Sequence, residues 1–274
     1  MADFPVEDGG AAATAGVVSA TTTGTLLTAS STAHVKGAYA EFVASTPFDA
    51  DEVWVSVMDN SGPFTRLLDI AVGAAGSESV IIPNILGSYP RANEAGYYHK
   101  FACHVPAGSR LAGRIQSSVA SSTLRVFLHL VSRGLSPSTP LQRIIAYGAL
   151  TASSRGTAVD PGATAHTKGA WVQLGQLFFG EIRRLALALA TNANTAMASA
   201  RWLLDIGAGA VGSEVVLIPD LPVITSTTAD NIVPRAFDDL PVQIKAGERI
   251  TARMQCSITD ATDRVLEVVA YGMD

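Results

Sequence analysis

Apolar residues recur at every second position along much of this chain, the period of a strand with one buried face. Leu124, Val126, Leu128 and Leu130 alternate with Arg125, Phe127 and His129. In another segment Leu111, Gly113, Ile115 and Ser117 fall on one side, with Ala112, Arg114, Gln116 and Ser118 on the other. Ile250, Ala252, Met254 and Cys256 repeat that pattern against Thr251, Arg253, Gln255 and Ser257. Gly, Pro, Ser and Asn stand between the runs, where a chain must turn sharply. The stretch Glu181-Ile-Arg-Arg-Leu-Ala-Leu-Ala-Leu-Ala190 has the composition of a helix. Its counterpart in the repeat described next is Val53-Trp-Val-Ser-Val57, a strong strand former, so a strand is predicted here too.

The chain is a tandem duplication. Thr32-Ala-His-Val-Lys-Gly37 returns as Thr164-Ala-His-Thr-Lys-Gly169 at an offset of 132. Leu67-Leu-Asp-Ile70 returns as Leu203-Leu-Asp-Ile206 at 136, each followed by a glycine-rich turn and then by Ile81-Ile-Pro83 or Leu217-Ile-Pro219. Ala107–Ser117 matches Ala246–Cys256 at 139. Leu27-Thr-Ala-Ser-Ser31 is echoed by Leu150-Thr-Ala-Ser-Ser154 at only 123, which implies a nine-residue insertion in copy two. These blocks place one domain at 25–132 and a second at 148–274, with a Ser/Pro linker at 133–147 and an extended arm over 1–24 that orders only against something else. Seven or eight short strands per copy predict an all-β protein of two duplicated jelly-roll-like β-sandwiches, with an immunoglobulin-like sandwich as the alternative.

Composition narrows the partners. Only 16% of the 274 residues are charged although 48% are hydrophobic, a balance expected where neighbouring subunits cover much of the surface. With a net charge of −5 and no run of Lys or Arg, a nucleic-acid footprint is not expected. No apolar stretch is long enough to span a membrane, and the acidic N-terminus does not read as a secretory signal. Cys103 and Cys256 have no cysteine at each other's repeat position and read as independent small apolar residues.

Candidate chemistry is sparse. Asp69 with Glu78, and Asp205 with Glu214, would be carboxylate pairs for calcium or acid–base work. The glycines around them, Gly76 and Gly212 included, favour a structural turn in which the acids cap backbone N–H groups. No further oxygen ligands follow, no Lys-Ser/Thr completes a phosphate loop, and no Gly-x-Ser-x-Gly accompanies His34 or His166. No catalytic residue, metal or cofactor is therefore assigned. Arg114, Gln116, Arg253 and Gln255 are expected to point outward. With Tyr89, Tyr97 and Tyr98 they form the candidate binding residues, for protein or sugar.

The motifs Leu-Leu-Asp-Ile-x-x-Gly-Ala-x-Gly-Ser-Glu, the Ile-Pro that follows, and Pro-Ala-Gly-x-Arg-Leu-Ala-x-Arg-Ile-Gln-Ser stand at 67–83 and 106–118, and again at 203–219 and 245–257. They resemble those of tailed-phage virion proteins of the head-decoration (cement) or head- and tail-fibre type. Copy two departs from the pattern with Lys245 for Pro106 and Glu248 for Ser109. The resemblance implies a non-enzymatic structural component of the virion, assembled in the host cytoplasm as a dimer or trimer. It would pack on the major capsid protein, or less favourably on tail or baseplate subunits. The alternative is a carbohydrate-binding pair or tail-fibre protein that recognises a host-surface glycan.

Overall fold

The alternating segments find their backbone partners in antiparallel ladders, and all regular structure among the described residues is strand. In the computed structural model these are residues 10–16, 19, 24–60, 64–87, 97–133, 143–177, 180–191, 200–224, 235–258 and 264–274. The first sandwich holds β1 (Ala11–Ala15), β2 (Thr25–Thr28), β3 (Ala40–Val43), β4 (Ala50–Asn60), β5 (Arg66–Val72), β6 (Ser79–Leu86), β7 (Tyr97–Val105), β8 (Leu111–Ser117) and β9 (Thr123–Ser132). The second holds β10 (Ile144–Tyr147), β11 (Thr157–Val159), β12 (Val172–Gln176), β13 (Ile182–Thr191), β14 (Arg201–Ala208), β15 (Val215–Ile224), β16 (Arg235–Ile244), β17 (Arg249–Cys256) and β18 (Leu266–Met273).

The two topologies are the same. One sheet of the first sandwich runs β1-β9-β4-β7, with β2 also on β9, and the other runs β3-β8-β5-β6. In the second the orders are β10-β18-β13-β16, with β11 on β18, and β12-β17-β14-β15. A five-stranded and a four-stranded antiparallel sheet wound in this order make a jelly roll, not the strand partition of an immunoglobulin sandwich. Residues 182–191 run as a strand, since Leu185, Leu187 and Leu189 pack inward as Val53, Val55 and Val57 do.

The structure corrects two boundaries and an insertion. Ala11–Ala15, inside the expected arm, pairs with β9 from Ser132 to Leu128. Ile144–Tyr147, inside the expected linker, pairs with β18 in the same way. Runs such as Ala-Ala-Ala-Thr-Ala carry no apolar alternation, but β9 is longer than β2 and its remaining N–H and C=O groups still need a partner. The insertion inferred from the Leu27–Ser31 echo also disappears. Leu27 pairs with Leu124, and Val159, 132 residues later, pairs with Leu266. Leu150–Ser154 is instead a turn closed by a Leu150–Arg155 bridge.

The two sandwiches share an interface. Ala186, Ala188, Ala190, Val269, Tyr271 and Met273 lie on the outer face of the second sandwich's β13 and β18, yet they join the first sandwich's core. Alanines on β13 let that sheet come close to the open side of the first sandwich, between its edge strands β6 and β7. Tyr271 fills the seam: its ring meets Phe101 edge-on at 5.3 Å, its hydroxyl donates to Asn84 O at 3.1 Å, and it accepts from the Leu86 N–H at 2.7 Å. A second contact joins Gln116 and His34 to the 150–155 turn.

Two buried groups make stability depend on pH in opposite senses. His99, beside Tyr271, is held down to about 4 by burial. It resists the protonation it would undergo when unfolded, so stability falls as pH drops from 6.5 towards 4. Glu267 is pushed up to about 7 by burial, opposed by the Gly156 N–H and by Arg155. A carboxyl raised above its unfolded value of 4.5 contributes fully below that pH and loses its contribution as pH rises through 7. The interval corresponds to about 3 kcal/mol. Glu267→Gln is therefore expected to raise the thermal midpoint at pH 8 and leave it unchanged at pH 4. Equal shifts at the two pH values would contradict this assignment.

Candidate functional site

The duplicated motifs build a charged cluster on the outer face of each smaller sheet. β5 and β8 place Asp69 directly across from Arg114, whose Nε donates to Asp69 Oδ2 at 3.0 Å. Lys36 comes from the Thr-Ala-His-x-Lys-Gly turn, and its Nζ donates to Asp69 Oδ1 at 2.7 Å and to Leu67 O at 3.1 Å. That turn is pinned to β8 by the His34 N–H on Ser117 O and the Gly37 N–H on Ile115 O, with His34 itself in the left-handed region at φ 63°. The Asn84 N–H completes the ligation of Asp69 Oδ1, and the Arg114 guanidinium lies over the Tyr39 ring.

Copy two reproduces each part. Lys168 and Arg253 hold Asp205 at 2.6 and 3.0 Å, the Asp220 N–H joins them, and Arg253 lies over Trp171. Burial pushes the Asp205 carboxyl up, but Lys168, the Asp220 N–H and Arg253 together hold it below the usual carboxylate range. Burial also lowers the Lys36 ammonium, against the pull of Asp69. A carboxylate whose oxygens are already held by two cations and an N–H has little capacity left for calcium or for proton transfer.

This changes the reading of Asp69 and Asp205 as turn caps: both sit within strands and lock a crossing segment to a sheet. Glu78 is at the turn itself. Its Oε2 accepts from the Gly76 N–H at 2.9 Å, and Oε1 takes Arg110 Nη1 at 3.1 Å. Gly76 and Gly212 both have positive φ, near 80°, and Glu214 takes Arg249 as Glu78 takes Arg110. Gln116, expected outward, is buried: its Nε2 donates to Thr151 O and Ser154 Oγ of the second sandwich. Gln255 is half-buried. Cys103 and Cys256 are free and buried.

Of the three candidate tyrosines, Tyr89 and the side chain of Tyr97 lie outside the described residues. Tyr98 is half-exposed on β7 and belongs to a group that the sequence reading did not assemble. Along the outer face of the first large sheet, Phe127 meets His129 at 4.9 Å, His129 meets Trp54 at 6.1 Å, and Trp54 stacks on Tyr98 at 6.2 Å. Lys100 lies 4.4 Å over the Trp54 ring, and Trp54 Nε1 donates to Glu52. The period-two pattern contained the signal, because Phe127 and His129 occupy outward positions of β9 where polar residues are the rule.

At the β7 end of this face a cleft of ≈ 310 Å³ opens against the second sandwich, lined by Glu52, Tyr98, Lys100, Arg133, Arg184 and Asp238, with Asp239 at its rim. Arg133 pairs with Glu52, and Arg184 with Asp239 at 3.0 Å. Burial pushes the Asp238 carboxyl up to about 6, against the Lys100 backbone N–H and charge.

No family model matches the chain, and none of the curated proteins matches it. Among solved structures the chain is similar to the N-terminal CBM22-1–CBM22-2 tandem domain of Xyn10C from Paenibacillus barcinonensis, with a TM-score of 0.26 and 8% identity over 97% of this chain and 91% of that one.

Proposed function

We propose that this chain is a non-catalytic structural component of a virus particle that docks on capsid subunits, or alternatively on tail subunits, through the outer face of its first large sheet. One observation carries the reading. Val55 pairs with Leu128 as Leu187 pairs with Ala270, so Trp54, Ser56, Phe127, His129 and Val131 occupy the places of Ala186, Ala188, Val269, Tyr271 and Met273. In the second sandwich that face is a protein interface within the chain; in the first it is an aromatic face without a partner among the described residues. Aromatic residues dominate the energetics of protein contacts. The particle setting draws on the phage-like motifs, because jelly rolls serve viral capsids and lectins alike. Particles purified from cells making the chain should carry it, as read by mass spectrometry. A Trp54→Ala/Phe127→Ala variant should be incorporated at least ~10-fold less, from losses of about 2 kcal/mol at an anchor residue. Absence of the wild-type chain from particles would overturn the reading.

A second reading, recognition of a host-surface glycan, is favoured by the half-exposed Tyr98 ring beside a polar cleft. Retention of the labelled chain on a glycan array would support it, and silence across the array would count against it.

A further inference from the structure

We propose that the cleft between β7 and the β13–β16 edge binds one neutral saccharide unit, an inference that rests on the glycan reading and gives it a site. Three arguments converge. The cleft holds ≈ 310 Å³, the lower end of the range for small-molecule sites and enough for a single sugar ring. Its charged groups balance, with Glu52, Asp238 and Asp239 against Lys100, Arg133 and Arg184. Two of the cations are already paired to carboxylates and the third lies over the Trp54 and Tyr98 rings. A free anion would therefore meet cations already engaged. A neutral polyol meets donors and acceptors side by side, and the Tyr98 ring offers a wall for its C–H face.

Asp238 supplies the third argument. It is half-buried among the residues that line the cleft, and the backbone N–H of Lys100 serves its carboxylate from the first sandwich. The carboxylate thus offers an acceptor to a sugar hydroxyl entering the cleft. The site exists only because the two sandwiches share an interface, since Tyr98 and Lys100 come from one and Arg184, Asp238 and Asp239 from the other.

The test is saturation-transfer NMR and calorimetry on the full chain at pH 7.5 with glucose, galactose, mannose, N-acetylglucosamine and N-acetylgalactosamine. Sialic acid and spermidine serve as charged comparators. The expected result is binding of at least one neutral sugar, weakened at least tenfold by Asp238→Ala and by Tyr98→Ala, with near-UV circular dichroism reporting that both variants are folded. Should Asp238→Ala misfold, Tyr98→Ala alone decides. A neutral sugar bound equally well by the variants leaves glycan recognition standing and overturns this cleft as its site. No neutral sugar bound, or binding of the charged comparators alone, overturns both.

Discussion

Replacing Asp69 by Ala is expected to lower the unfolding free energy of the first sandwich by about 3–5 kcal/mol, because it leaves two cations facing each other at a half-buried site. Lys36 and Arg114 retain only 17% and 31% side-chain exposure, and Asp69 only 5%. Without the carboxylate, Lys36 keeps a single backbone acceptor, Leu67 O, and sits within reach of the like charge of Arg114. The upper end of the range belongs to a fully buried pair, so the exposure of Arg114 moves the expectation towards the lower end. Asp205→Ala should act on the second sandwich in the same way through Lys168 and Arg253. Urea unfolding of the two variants measures both effects. The double variant Lys36→Met/Asp69→Leu should recover much of the loss, since an apolar pair of similar volume often replaces a buried ion pair at little cost. A loss under about 1 kcal/mol for Asp69→Ala would mean that the cluster is a solvent-screened surface feature.

Tyr271→Ala is the second large effect. The side chain is fully buried, packs edge-on against Phe101 and holds the edge of β6 through two hydrogen bonds. Loss of a large buried aromatic side chain costs about 3–5 kcal/mol. Here much of it falls on the interface, so calorimetry should resolve one unfolding transition for the wild type and two for the variant. Tyr271→Phe keeps the ring and loses the hydroxyl, and should cost about 1–3 kcal/mol without splitting the transition. A variant that still unfolds in a single step would show that the sandwiches are coupled mainly elsewhere, at the Gln116–Ser154 contact.

Strand positions and the jelly-roll class were legible because alternation reports burial directly, and because the duplication let Val53-Trp-Val-Ser-Val57 decide the ambiguous Leu-Ala run of β13. The boundaries were less legible. β1 and β10 are edge strands fixed by the free backbone of β9 and β18, a demand that leaves no mark on their side chains. The Asp69 cluster was half legible. Both motifs were visible, each with its own unexplained charge, but nothing in their spacing says that Lys36 reaches Asp69 across 33 residues. Gln116 was misplaced outward for a different reason. Its strand face is outer within its own sandwich, and the 150–155 turn of the second sandwich covers it. The aromatic face was missed because Trp54, Tyr98 and Phe127 come from three strands and meet only in the sheet.

The most direct test is a photoactivatable phenylalanine analogue at position 127, at one end of the aromatic row, irradiated in purified particles that carry the chain. A cross-link from that position to a capsid or tail subunit is the result expected of an assembly protein. Particles in which position 127 links to no other subunit, while an analogue placed on the opposite sheet does, would contradict docking through this face.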